Sequence, residues 1–190
     1  MQTLKRAVTA EEFEAFVNLP ENADRTFELV AGEIVEVPSN PYASQIAARI
    51  SMYIGMYLLQ HNIGHVTGEA GGYIVSGERY APNVAYISKL RQPELARAGY
   101  NPNPPDLAVE VVFPTAPETA RLLTVKVANY LAAGTVVWVV YPETKEVEVF
   151  APGQPAHILN REGTLEGGEL LPGFSLAVSA IFPDEPAAAP

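Results

Sequence analysis

The chain contains no cysteine. That excludes a disulfide scaffold, a thiolate zinc site, an iron–sulfur cluster and a cysteine nucleophile. Charge is sparse: 18% of residues are Asp, Glu, Lys or Arg, below the ordinary quarter. With 48% apolar residues, the chain is no disordered polyelectrolyte and can bury a sizeable core. No apolar run reaches about 18 residues, so no membrane span is expected. The opening MQTLKRAVTAEEFEAF has two basic residues but no apolar stretch behind them, so no signal peptide is expected and the cytoplasm is the expected location.

Positive charge is the scarcest commodity. Twelve Lys and Arg face 22 Asp and Glu, a net charge of −10. That argues against a protein that coats nucleic acid, since such affinity comes from Lys and Arg releasing counterions from phosphates. The scarcity is uneven. The segment from Arg79 to Lys126 holds six basic and four acidic residues. A neutral-to-basic middle on an acidic shell could still guide a polyanion, and ordinary scatter explains it equally well.

The length of 190 residues suits a single domain over residues 1–183, followed by a loose Pro/Ala-rich tail at 184–190. No repeat is visible. Residues 9–18 predict a short helix, with Thr9 as N-cap and Glu12 completing a capping box. Residues 26–37, TFELVAGEIVEV, read as a β-hairpin around Ala31-Gly32. A long amphipathic helix is expected over about 42–61, closed by Gly64 as a left-handed cap. From residue 65 the period becomes that of strands: HVTGEAGGYIV as one bent strand, SGERYAP as a turn, then NVAYIS. Residues 91–105 hold four prolines and read as a loop with one helical turn at most.

DLAVEVV is a β-forming run. Thr115 and Glu118 form a second capping box for a helix that AAG closes at 132–134. VVWVVY is apolar on both faces, as a buried central strand is. EVEVF pairs with it, and short strands end in LPGFSL. The fold class is therefore α/β: a mixed sheet flanked by helices, with extra hairpins in the N- and C-terminal parts.

Three successive elements carry groups capable of chemistry: Asn83 before VAYIS, Asp106 and Glu110 on DLAVEVV, and Lys126 on the next helix. Alternation puts Asp106, Ala108 and Glu110 on one face of the strand. Asp106 and Glu110 are roughly 13 Å apart at about 3.3 Å per residue, too far to grip one ion. Glu110 lies in an apolar run, where an ionised carboxylate needs a cation or donors. It reads as a metal ligand, as a strand-edge residue facing solvent, or as one paired to Arg121 or Lys126. Lys126 borders the stripe of Leu123, Val127, Tyr130 and Leu131, so it either points at the sheet near Glu110 or snorkels its stem over the core. His61, His65 and His157 lack metal-ligand spacing and read as structural. GEAGGYIVSG lacks the Lys-Ser/Thr of a phosphate loop, and no GxSxG elbow appears.

PPDLAVEVVFPT, KVANYLAAG and VVWVVYPETKEVEVF, in that order, resemble a bacterial family of restriction endonucleases within the PD-(D/E)xK nuclease superfamily. FELVAGEIVEV, APNVAYIS and LPGFSL occupy the places of its other motifs, so the resemblance spans about residues 10–178. It implies a restriction-endonuclease-like α/β core, DNA as substrate, and Mg²⁺ or Mn²⁺ as cofactor with no organic group. Position by position, it makes Glu28 the first-motif carboxylate and sets Asn83 where the family has the Asp of its Pro-Asp motif. Glu110 becomes the strand carboxylate. The Lys of the triplet is missing at Val112, and Lys126 stands in the place to which it has migrated. Gln45 matches a position that usually follows a His, here Ser44.

Two departures bear on activity. Asn83 is neutral, and Leu122 replaces a common Asp, so weak metal binding is expected, and cleavage itself is in question. The alternative is an inactive binding module of the same fold. A homodimer is a further expectation, through the edge of VVWVVY or the aromatic-rich long helix.

Overall fold

A computed structural model describes residues 6–37, 40–113 and 117–183. The 184–190 tail and Thr115, the N-cap of the second capping box, lie outside them. The first helix, α1 (Ala10–Val17), starts as its sequence dictates: Thr9 accepts the Glu12 N–H, and the Glu12 side chain accepts the Thr9 N–H. Strands β1 (Phe27–Val30) and β2 (Glu33–Glu36) form the hairpin, paired Val30 to Glu33. Ala31 and Gly32 turn it with φ of 52° and 73°, the two positive values that a type I′ turn needs. A side chain at Gly32 would also strike Ala7, whose Cβ lies 2.5 Å from the added carbon.

The long helix α2 (Pro41–Gln60) is capped by Asn40, whose side chain accepts the Ala43 N–H. Its end differs from expectation. Gly64 is no helix cap; it opens β3 (Gly64–Gly68), and His61 terminates α2. The glycine is required there by a close approach, since a Cβ would lie 2.3 Å from the Tyr86 ring. The next segment is also corrected. HVTGEAGGYIV is two strands separated by a turn rather than one bent strand, and SGERYAP contains a strand. Strands β4 (Tyr73–Val75) and β5 (Glu78–Tyr80) pair as a hairpin, and β5 adds to β1, giving the sheet order β2-β1-β5-β4.

The central sheet has six strands. β6 (Val84–Ser88), β7 (Leu107–Val111), β8 (Val136–Tyr141), β9 (Glu146–Phe150) and β10 (His157–Leu159) join β3 in the order β10-β9-β8-β7-β6-β3. Only β7 and β8 run parallel within it, and α3 (Pro117–Ala132) makes the crossover between them that a parallel pair needs. VVWVVY is buried between β7 and β9, so it offers no edge to a second copy. Residues 91–105 form turns without a helix. Beyond the sheet, β11 (Thr164–Glu166) pairs with β12 (Ser175–Ala177), followed by α4 (Val178–Ile181).

Strand alternation sorts the core into layers. Leu107, Val109 and Val111 face Ile46, Ile50 and Ile54 of α2 and the α4 region. Burying each such side chain contributes about 1.5–3 kcal/mol. Ala108, Val137 and Val139 face the other way, onto Val127 and Tyr130 of α3 and onto Val30 and Tyr80 of the smaller sheet. Glu110 shares the Ala108 face. It therefore points into the space between the large sheet, α3 and the small sheet.

Candidate cation and hydrolysis site

The layering delivers one side chain from each of three elements to a single point. On β1, Val30 packs into the inner core while Phe27 and Leu29 pack against α1, so alternation turns Glu28 inward. β7 supplies Glu110, and α3 supplies Lys126. All three are buried, at 6%, 6% and 7% exposure. The Lys126 Nζ lies 2.8 and 3.0 Å from the two Glu28 carboxylate oxygens. It lies 2.8 and 2.9 Å from those of Glu110. Lys126 is thus no snorkelling residue: its ammonium sits between two carboxylates.

The remaining bonds fix the carboxylates. The Ala81 N–H donates to Glu28 Oε1 at 2.7 Å. The Tyr130 hydroxyl donates to Glu110 Oε1 at 3.1 Å. Tyr130 stacks edge-on against Tyr80, and Asn129 donates to the Tyr80 hydroxyl. Sequence reasoning placed Tyr130 in the core stripe and missed this hydroxyl. The signal was its position four residues after Lys126, on the same helix face.

Asn83 stands one residue before Val84, which pairs with Val109. Its Oδ1 accepts the Val111 N–H at 2.7 Å, continuing the ladder where backbone pairing ends. Asn83, Glu28, Glu110 and Lys126 all line one cavity of ≈ 400 Å³. Its apolar wall includes Val112, Phe113, Leu122 and Leu123, with Glu36 and Glu69 as further carboxylates. Two predicted site residues lie elsewhere. Asp106 is at the other end of β7, where it pairs with Arg91 at 3.0 Å and accepts the Ser88 N–H. Gln45 is exposed on α2 and does not line the cavity.

Five of the six basic residues between Arg79 and Lys126 are engaged: Lys126 holds Glu28 and Glu110 and Lys89 donates to Asn62, while Arg97 is exposed. Arg79 pairs with Glu14, Arg91 with Asp106, and Arg121 with Glu118 and Glu33. Two of the three histidines are also engaged: His61 stacks on Tyr57, and His65 bonds the Pro93 carbonyl.

Burial pushes Glu110 above its ordinary carboxylate range, against the pull of Lys126. Burial alone would lower Lys126, but Glu110 and Glu28 outweigh it and hold the ammonium above its usual value. Burial also raises Tyr130, reinforced by the charges of Glu110 and Glu28, and pushes Tyr80 up to about 12. A folded-state pKa raised above the unfolded value adds stability that is complete below the unfolded pKa and lost as pH climbs to the folded one. For Tyr80 that window runs from 10.0 to about 12, and Tyr100 behaves alike. The urea midpoint is expected to fall steadily across this alkaline window. A midpoint unchanged from pH 9 to 11.5 would contradict the assignment.

Among the described residues no three His, Asp or Glu side chains converge as metal ligands. The donor set nevertheless suits a hard cation. Two carboxylates and an amide are all-oxygen groups, and Mg²⁺ needs only one or two carboxylates because it retains several waters.

The architecture is a restriction-endonuclease-like α/β fold. It matches, over 92% of this chain and 97% of the other, the crystal structure of "a putative nuclease belonging to DUF820 from Anabaena variabilis" (TM-score 0.78, 20% identity). Residues 11–179 match the Uma2 family, described as "Putative restriction endonuclease"; the chain belongs to that family. A comparison with curated proteins gave no match. No helix among the described residues is long and apolar enough to cross a membrane.

Proposed function

We propose that the protein is a divalent-cation-dependent endonuclease that hydrolyses DNA phosphodiester bonds, with low affinity for its cation. The observation that supports this most is the convergence of Glu28, Glu110 and Lys126 beside Asn83 in one cavity. Glu110 and Asn83 would hold Mg²⁺ or Mn²⁺, with Glu28 as second carboxylate. Such an ion polarises a phosphate and lowers the pKa of bound water. The chain's own residues do the rest. The Ala81 N–H and the Tyr130 hydroxyl orient the carboxylates, and Lys126 supplies a positive charge for the phosphate oxygens.

Asn83 favours a second reading, a nuclease-fold module that binds nucleic acid without cutting. Its Oδ1 already accepts the Val111 N–H, and it brings no charge. Incubation with plasmid and single-stranded DNA in Mn²⁺ separates the two. Nicking that EDTA stops and Glu110→Gln abolishes supports the endonuclease. DNA binding that weakens as salt rises, with no nicking, supports the module.

The reading includes a homodimer formed through α2. Met52, Met56 and Leu59 recur at helical spacing on its outer face and are 50%, 55% and 88% exposed. The one charged residue of α2, Arg49, donates to the Ala180 and Phe182 carbonyls. In a chain of net charge −10, this is where two copies meet without acidic residues facing each other. Light scattering is expected to give twice the 20.5 kDa chain mass, and Met56→Glu the single mass. A monomeric wild type at tens of micromolar overturns the dimer and leaves the face to another protein.

A further inference from the structure

We propose that Lys126 is a built-in occupant of the cation position: the ammonium holds the resting site, and a divalent cation enters by displacing it. The proposal rests on the cation-dependent reading above and extends it to how the site is loaded. Four carboxylate oxygens, two from Glu28 and two from Glu110, lie within 3.0 Å of one nitrogen. An ammonium has three N–H donors, so it shares them among four acceptors and fills the point between the carboxylates. Mg²⁺ binds oxygen at about 2.0–2.1 Å. A cation drawing on both carboxylates would fall beside Nζ, where two positive centres repel without water between them. The two occupants therefore exclude each other.

The structure provides both a means and a destination for the exchange. Lysine carries its charge on a flexible four-carbon stem. Lys126 lines the ≈ 400 Å³ cavity, and a further carboxylate, Glu69, stands on the same lining. Charge makes the exchange consequential. At rest, two carboxylates and one ammonium leave a net negative site, which repels a phosphate. A divalent cation in place of the ammonium cancels the charge of Glu28 and Glu110, with Lys126 moved toward Glu69. Cation and phosphate then bind cooperatively, and the empty site rejects polyanions.

Mn²⁺ binding to the wild type and to Lys126→Met, followed by electron paramagnetic resonance, tests the exchange. The variant removes the competitor and is expected to bind Mn²⁺ at least tenfold more tightly. A second measurement needs no variant. Lys126 is one of four lysines, and its buried ammonium should give a protected ¹⁵N signal that shifts as Mg²⁺ is added. Equal affinity in both proteins with a stationary Lys126 signal overturns the exchange while leaving the cation site intact. Failure of both proteins to bind Mn²⁺ overturns the cation site and the exchange with it. If the variant does not fold, the wild-type signal decides: movement supports the exchange, and binding without movement refutes it.

Discussion

Lys126→Met is expected to lower the unfolding free energy by about 3–5 kcal/mol in EDTA at pH 7. Glu28 and Glu110 are both buried, and each accepts its charge-assisted bonds from this one ammonium. Removing it leaves two carboxylates a few ångströms apart in an apolar surround, so at least one must take up a proton or face its neighbour unscreened. The Ala81 N–H and Tyr130 hydroxyl remain, but they are neutral donors and offset only part of the loss. The triple variant Glu28→Gln, Glu110→Gln, Lys126→Met removes every charge together and is expected to recover most of the stability, because a buried triad replaced as a unit is often neutral. Urea unfolding measures both. A loss below about 1 kcal/mol for the single variant would mean that the triad is solvated rather than buried.

Asn83→Asp is expected to tighten Mg²⁺ or Mn²⁺ binding by about ten- to a hundredfold, or ~1.4–2.7 kcal/mol. An aspartate can keep the Val111 N–H bond through one oxygen and turn the other, now charged, into the cavity. It would then supply the third carboxylate that the site lacks. Without metal the same charge sits near Glu110 and repels it, so the variant should be less stable than wild type in EDTA. Isothermal titration with Mn²⁺ checks the affinity. Equal binding by the two proteins would show that the amide at position 83 imposes no penalty on the cation.

The parts of this molecule that could be read from sequence are those with local causes. The α1 cap needs only Thr9 and Glu12, and the first hairpin needs only Ala31-Gly32 between apolar arms. The order β7, α3, β8 followed from two apolar runs around an amphipathic one. β4 and β5 escaped because each is three residues long and their hairpin joins a sheet only through the pairing of β5 with β1, far off in sequence. Gly64 misled because a glycine after a helix usually marks a cap, whereas here the Tyr86 ring demands it.

The site divides along the same line. Glu110 and Lys126 stood out as charges in apolar company, a local anomaly. Glu28 emerged only through family resemblance, since nothing in FELV reveals which face the fold will bury. Asp106 shared a strand face with Glu110, but its partner Arg91 arrives from an irregular loop that no periodicity describes.

A crystal grown with Mn²⁺ and measured at the manganese absorption edge tests the cation site most directly. The expected result is an anomalous peak within ligand distance of Glu110, with the Lys126 ammonium no longer bridging Glu28 and Glu110. Saturating Mn²⁺ that leaves no peak in the cavity, with Lys126 still seated between the two carboxylates, would contradict it.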